Sequence, residues 1–359
     1  MKVVLLALLT LGGVGALGAQ APADTTRVTG FVDVYYAWDF NRPPSLDRAY
    51  TTQPARHDEF NVNLADVALA LARPTVHARL ALQAGTSVQS NYAGEPRVGS
   101  VSGPDLARLL QEAYVGVRAA PALWIDAGVF YSNIGQESWG SADNPTYTRS
   151  LIADYSPYYS AGVRALWQAT PALALRLDLM NGWQTISAPN RGKAAGLRIE
   201  YAPRPDLLVG YSDFIGNQQP DSLPSRVRVF NEVFTRLGRA DGAAAWLTAD
   251  YGAQRAPGGG WDDWYGVALV ARRPLSRRVA VNARVERYQD LHQVIVTSLG
   301  AGGFAATGAS LGLDVRTAGD VLWRTEARLF HGDRALFPEA SGALGRGDGF
   351  LVTSFALSL

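Results

Sequence analysis

Residues 173–181 read Leu-Ala-Leu-Arg-Leu-Asp-Leu-Met-Asn, and their period decides the fold. Leu173, Leu175, Leu177 and Leu179 fall on one side of an extended chain and Arg176 and Asp178 on the other, because successive side chains of a strand alternate faces. The pattern recurs in both directions. Toward the N-terminus, Val76, Ala78, Leu80 and Leu82 oppose His77, Arg79 and Gln83, and Val32, Val34, Tyr36, Trp38 and Phe40 oppose Asp33, Tyr35 and Asp39. Toward the C-terminus, Ala195, Leu197, Ile199 and Tyr201 oppose Arg198 and Glu200. Val279, Val281 and Val285 oppose Asn282, Arg284 and Glu286, and Val321, Trp323, Ala327 and Leu329 oppose Arg324, Glu326 and Arg328.

A soluble sandwich also alternates, with one face in its core and one in water. Two features point instead to a barrel in a membrane. The segments run to roughly 10 residues, the length that crosses a bilayer at a tilt. Their connections alternate between short and long, as periplasmic turns and outer loops do. The short ones are Ala72-Arg73-Pro74, Ala119-Ala120-Pro121, Thr170-Pro171, Ala202 to Pro205, Gly238 to Gly242, Arg273 to Ser276 and Thr317 to Asp320, where Pro and Gly set turn dihedrals. The long polar stretches are 41–57, 89–108, 131–157, 182–192, 215–224, 253–262, 290–304 and 332–347. Seven turns and eight loops join about 16 strands into an all-β, transmembrane, antiparallel up-and-down barrel. The segment 225–237 alternates least, yet without it the strand count is odd and both chain ends cannot share one side of the membrane.

Composition agrees. The 359 residues are 47% hydrophobic with a mean hydropathy of −0.03, so the apolar residues are diluted by alternation. No internal run reaches the roughly 20 apolar residues of a membrane helix. A net charge of +1 gives no reason to expect nucleic acid as a partner. The absence of cysteine removes disulfides, thiol catalysis and thiolate metal sites together.

The first residues carry export features: Lys2, the apolar run Val3 to Leu11, then small residues to Ala21. The expected organisation is a signal peptide over 1–21 cleaved near Ala19 or Ala21, a short segment 22–27, and one barrel over 28–359 in the outer membrane of a Gram-negative-type bacterium. Aromatic clusters near strand ends (Tyr35, Tyr36 and Trp38; Tyr158 and Tyr159; Trp261, Trp264 and Tyr265) suit interfacial girdles. Leu351, Phe355, Leu357 and Leu359 alternate to the terminus, similar to the signal read by the barrel-assembly machinery, although Leu359 stands where Phe is usual.

The run Gln111-Glu112-Ala113-Tyr114-Val115, then Asp126 to Phe130, Ile134-Gly135-Gln136-Glu137, Asn144 to Leu151, Pro157 to Arg164 and Asn181-Gly182 resembles the β-barrel porins of the OmpL-like group. Phe31 to Tyr36, Phe40-Asn41-Arg42-Pro43, Asp250-Tyr251-Gly252 and Arg324 to Arg328 fit the same likeness. It implies an outer-membrane barrel and supplies no catalytic residue.

With the apolar face toward lipid, Arg79, Arg118, Asp126, Arg164, Arg176, Asp178, Arg198, Glu200, Arg272, Arg284, Glu286, Asp314, Arg316, Arg324, Glu326 and Arg328 point into the lumen. An arginine or lysine on the lipid face costs about 2–4 kcal/mol at the midplane, so the shared parity is informative. Such residues would line an aqueous path and set ion preference, and ten arginines against six acids lean toward anions. The same charges could instead neutralise one another in a plugged lumen. The 131–157 loop either projects outward or folds in as a constriction presenting Glu137, Asp143, Asn144 or Arg149. The expected function is passive diffusion of small hydrophilic solutes, without cofactor or metal, in a barrel that could self-associate. The alternatives are a structural or surface-binding barrel and, least favoured, a hydrolase. Gly308-Ala309-Ser310-Leu311-Gly312 has nucleophile-elbow spacing, but it alternates as a strand and lacks the strand-to-helix turn. His57, His77, His292 and His331 are scattered and form no ligand set.

Overall fold

The computed structural model describes residues 24–359. The expected signal peptide therefore lies outside the described residues. The first half of the wall comprises β1 (Thr25–Asp39), β2 (Phe60–Ala72), β3 (Val76–Ala84), β4 (Leu110–Ala120), β5 (Leu123–Tyr131), β6 (Tyr159–Thr170), β7 (Leu173–Met180) and β8 (Ala194–Arg204). The second half comprises β9 (Leu207–Asn217), β10 (Val227–Gly238), β11 (Ala244–Arg255), β12 (Trp261–Pro274), β13 (Val279–Asp290), β14 (Phe304–Arg316), β15 (Leu322–Gly332) and β18 (Gly347–Ser358). These sixteen strands close into one antiparallel barrel, β18 pairing with β1 through Val32↔Leu357 and Trp38↔Leu351. A small hairpin of β16 (Phe337–Pro338) and β17 (Leu344–Gly345) decorates the last long loop.

Wall formation begins earlier than expected, since Thr25 already pairs with Ala72. The weakly alternating 225–237 segment is β10. Its pattern is blurred because Phe230 and Phe234 share the inner face with Arg228 and Glu232, all buried.

The outer wall is apolar. Leu311, Leu329, Leu177, Val233 and Val285 are each more than half exposed, a belt far too extensive for water but suited to lipid. Of the aromatic clusters, Tyr36, Trp38, Trp261 and Tyr265 lie on the outer side. Tyr35 and Trp264 instead point inward, and Tyr158 and Tyr159 are buried against loop residues, so these four are packed rather than part of a girdle. Sequence clustering cannot separate the two roles, because adjacent residues of a strand face opposite ways.

Gly128 shows how tightly the wall is drawn. Its φ of +138° is a backbone that L side chains rarely adopt, and an added Cβ would stand 2.1 Å from the Ala113 carbonyl oxygen of β4. Gly128→Ala is expected to lower folding stability by at least about 1–3 kcal/mol. A fall in the urea midpoint of barrels refolded into detergent measures it.

Three short helices lie in the loops: α1 (Thr86–Tyr92), α2 (Pro104–Ala107) and α3 (Leu151–Asp154). The helix α3 matters most, because it sits inside the barrel.

Candidate channel lumen

Parity places the expected charges on the inner face, and their spacing then makes ion pairs. On one strand, residues two apart share a face, so Arg176 meets Asp178 at 2.9 Å, Arg198 meets Glu200 at 2.7 Å and Arg284 meets Glu286 at 3.1 Å. Direct cross-strand partners add Arg164–Asp126 at 2.9 Å and Arg324–Asp314 at 2.8 Å, and Arg328–Glu286 at 2.6 Å and Arg284–Glu326 at 3.0 Å reach across β14 from β15 to β13 and back. Arg79 pairs with Glu112, and His77 bonds Asp126 at 2.6 Å.

The loop 132–158 folds into the barrel rather than outward. Its apolar residues Ile134, Tyr147, Leu151 and Ile152 join Phe214, Phe230, Trp264 and Tyr288 in one buried cluster. Its backbone is stitched to the charges of both walls. Arg324 donates to the carbonyls of Ser141, Asn144 and Pro145; Arg284 to that of Thr148; Arg328 to that of Arg149. Glu326 accepts the Thr148 amide at 2.7 Å and Glu286 the Leu151 amide at 2.6 Å. On the opposite wall Arg176 donates to the Tyr131 and Ser132 carbonyls, and Arg198 to those of Asn133 and Gly135. The Gly135 amide reaches Glu232 at 3.0 Å. A loop cannot be buried with bare carbonyls, and arginine is the side chain that satisfies several at once.

This geometry changes what most of the lumen charges face. Arg284, Arg324 and Arg328 are at most 1% exposed, and Asp126, Arg164, Arg176, Asp178, Arg198, Glu200, Glu286 and Glu326 are also buried. They contact one another and the loop rather than bulk water, because the loop carries the carbonyls that compete for them. Among the expected residues, Arg118 is exposed and Arg79 and Arg272 keep about a fifth of their side-chain surface.

The four expected constriction residues lie in the inward loop and hold it together. The Glu137 carboxylate accepts from the Ser150 amide and hydroxyl, while the Ser150 hydroxyl caps α3 by accepting from the Ala153 amide at 3.3 Å. Asn144 bonds Ser138 through both ends of its amide, and the Asp143 carboxylate accepts from the Ser138 hydroxyl. The Arg149 guanidinium stacks 3.8 Å over the Tyr158 ring and donates to the Ser138 and Ala153 carbonyls. Burial raises the Asp154 carboxyl to about 6, against the pull of Arg328 and a bond from Thr52.

A family model matches residues 25–358 under the description "Putative beta-barrel porin-2, OmpL-like". The chain belongs to that family.

Other comparisons show how far the OmpL-like barrel shares its wall with solved structures. An anion-selective porin from Comamonas acidovorans superposes with a TM-score of 0.64 at 10% identity, covering 94% of this chain and 100% of that one. DcaP, an outer membrane channel of Acinetobacter baumannii, gives 0.62 at 11%, covering 94% and 98%. The trimer form of OmpT, an outer membrane protein of Vibrio cholerae, gives 0.59 at 9%, covering 94% and 100%. At such identities the likeness is one of fold. No curated protein sequence matches the chain.

The elbow-spaced Ser310 lies mid-strand in β14, buried on the inner face between Arg284 and Arg328, whereas His331 is exposed on the outer face. The two stand on opposite sides of the wall and cannot act on one bond. Sequence reading left Asp33, Glu112, Arg228, Glu232 and Asp250 out of the lumen set, although all five are buried and inward. Parity alone exposes Asp33, between Val32 and Val34; the β10 pair is hidden by its inward phenylalanines.

Proposed function

We propose that this porin-family barrel is an outer-membrane diffusion channel for small hydrophilic solutes, whose bore is set by the 132–158 loop. The carrying observation is a closed sixteen-strand wall, apolar outside and charged inside, with a long loop bonded across its interior. A barrel of this size has room for water beside a loop. The exposed Arg118 and the partly exposed Arg79 and Arg272 line the water-facing part of the lumen; Arg79 and Arg272 are paired with Glu112 and Asp314, so of the three Arg118 supplies the uncompensated charge that favours anions. Export with cleavage near Ala19 or Ala21 precedes insertion by the barrel-assembly machinery, and the outer belt accepts lipid or further copies of the chain. No covalent chemistry is assigned to it.

Purified protein in planar bilayers is expected to give small stepwise currents with a reversal potential on the chloride side. No current from folded protein would remove the reading. A second reading has its own support: the dryness of Arg284, Arg324 and Arg328 fits a barrel that the loop seals. That barrel would be silent until the loop is released.

A further inference from the structure

One turn of the wall collects arginines and gives them no acids. Residues 272–278 read Arg-Arg-Pro-Leu-Ser-Arg-Arg and join β12 to β13. Arg272 faces inward and pairs with Asp314 at 3.6 Å. Arg273, Arg277 and Arg278 are exposed, and so is Arg316. The Arg316 amide donates to the Arg278 carbonyl at 2.7 Å, extending the Val279↔Val315 register so that the two arginines stand opposite each other. Among the described residues none of these four has an ion pair. Three other turns at the same end of the barrel are balanced: Arg73 meets Asp24 at 3.5 Å, Arg204 meets Asp206 at 3.2 Å and Arg239 meets Asp241 at 3.0 Å.

Like charges set opposite one another destabilise a sheet, so the bare cluster carries a cost that an anion would relieve. The adjoining surface says which anion. Arg273 shares the outer face of β12 with Ala271 and Leu269, and its register row continues outward-facing through Val281 and Leu313. Leu275, within the turn itself, is 60% exposed. The basic group therefore stands at the edge of the apolar belt, where acyl chains give way to headgroups. A guanidinium is the side chain that binds phosphate through two parallel N–H bonds.

We propose that Arg273, Arg277 and Arg278 hold the phosphate of an anionic phospholipid of the periplasmic leaflet, whose chains lie along Val281, Leu313 and Leu269. Each arginine at an anionic lipid surface contributes about fivefold in affinity, about a hundredfold for three. The lipid supplies the counter-charge that an aspartate supplies at the other turns, and it fixes the depth of the β12–β13 hairpin in the bilayer. The site rests on the outer-membrane reading and is independent of whether the barrel conducts.

The test is native mass spectrometry of the full-length barrel in detergent, offered phosphatidylglycerol or phosphatidylcholine with the same acyl chains. The wild type is expected to retain phosphatidylglycerol at a concentration about a hundredfold lower than phosphatidylcholine. Arg273→Gln, Arg277→Gln and Arg278→Gln should each cost about fivefold, and the triple variant should lose the preference. Arg239→Gln, in a balanced turn, should change nothing. Millimolar glycerol phosphate, the same anion without chains, should not displace the lipid. Wild type that takes both lipids alike overturns the proposal, as does a triple variant that keeps the preference, or displacement by glycerol phosphate. A barrel that takes up neither lipid overturns the membrane reading along with the site, whereas equal uptake of both overturns the site alone.

Discussion

Replacing Glu286 with alanine is expected to raise the conductance of the barrel several-fold while leaving its wall intact. Glu286 Oε1 receives Arg284 at 3.1 Å and Arg328 at 2.6 Å, and Oε2 receives the Leu151 amide at 2.6 Å. All three side chains are sealed from water. Removing the acid leaves two buried arginines with diminished compensation and strips the first turn of α3 of an acceptor. Breaking a buried pair on one side costs about 3–5 kcal/mol. The wall cannot yield that energy, because its strands are locked by a closed ladder of backbone bonds. The loop can, since polar side-chain bonds hold its backbone to the wall. At about 1.4 kcal/mol per decade, the ratio of seated to released loop falls by two decades or more. Single-channel recordings should show larger steps, and protease should cut within 132–158. Unchanged steps from a folded variant would mean that the loop does not set the bore. Glu286→Gln, which keeps an acceptor, should fall between.

The same contrast between wall and loop explains what the sequence discloses. A strand between lipid and a polar interior writes its environment into every second residue, so inner and outer faces, turns and strand count were readable from residues 28–359 alone. Leu173 to Leu179 is the clearest case, and each alternate leucine indeed faces outward. The reading weakens where both faces hold bulky apolar residues, as in β10, and where a strand begins in a polar stretch, as at Thr25.

The loop is different in kind. Asn144 to Ser150 looks like any exposed polar connection, and nothing in its composition separates a surface loop from one stitched to arginines. What decides is the surrounding wall. Arg284, Arg324 and Arg328 supply more donors than Glu286, Glu326 and Asp314 can absorb, and the surplus goes to loop carbonyls. An excess of inward arginine over inward acid was legible in the sequence as an anion preference. Most of that excess vanishes once the inward acids Asp33, Glu112, Glu232 and Asp250 are set against Arg228, and the buried arginines serve to seat a loop.

The outer face supports the second large effect, which tests the membrane itself. Leu311 lies near the middle of β14, 70% exposed and flanked by Ala283 and Ala327, with few contacts to lose. In lipid, Leu311→Arg is expected to destabilise the barrel by about 2–4 kcal/mol, because the charge meets hydrocarbon. Two and four residues along the same face, Leu313→Arg and Val315→Arg approach the turn after β14, where the cost should fall toward about 0–1 kcal/mol. Urea unfolding of the three variants in liposomes measures the gradient. A barrel standing in water predicts no gradient, since an exposed leucine replaced by arginine then changes stability by only about 0.5 kcal/mol either way. Depth dependence along one strand therefore distinguishes a lipid belt from an apolar surface waiting for a protein partner, which would penalise the arginines by contact rather than by depth.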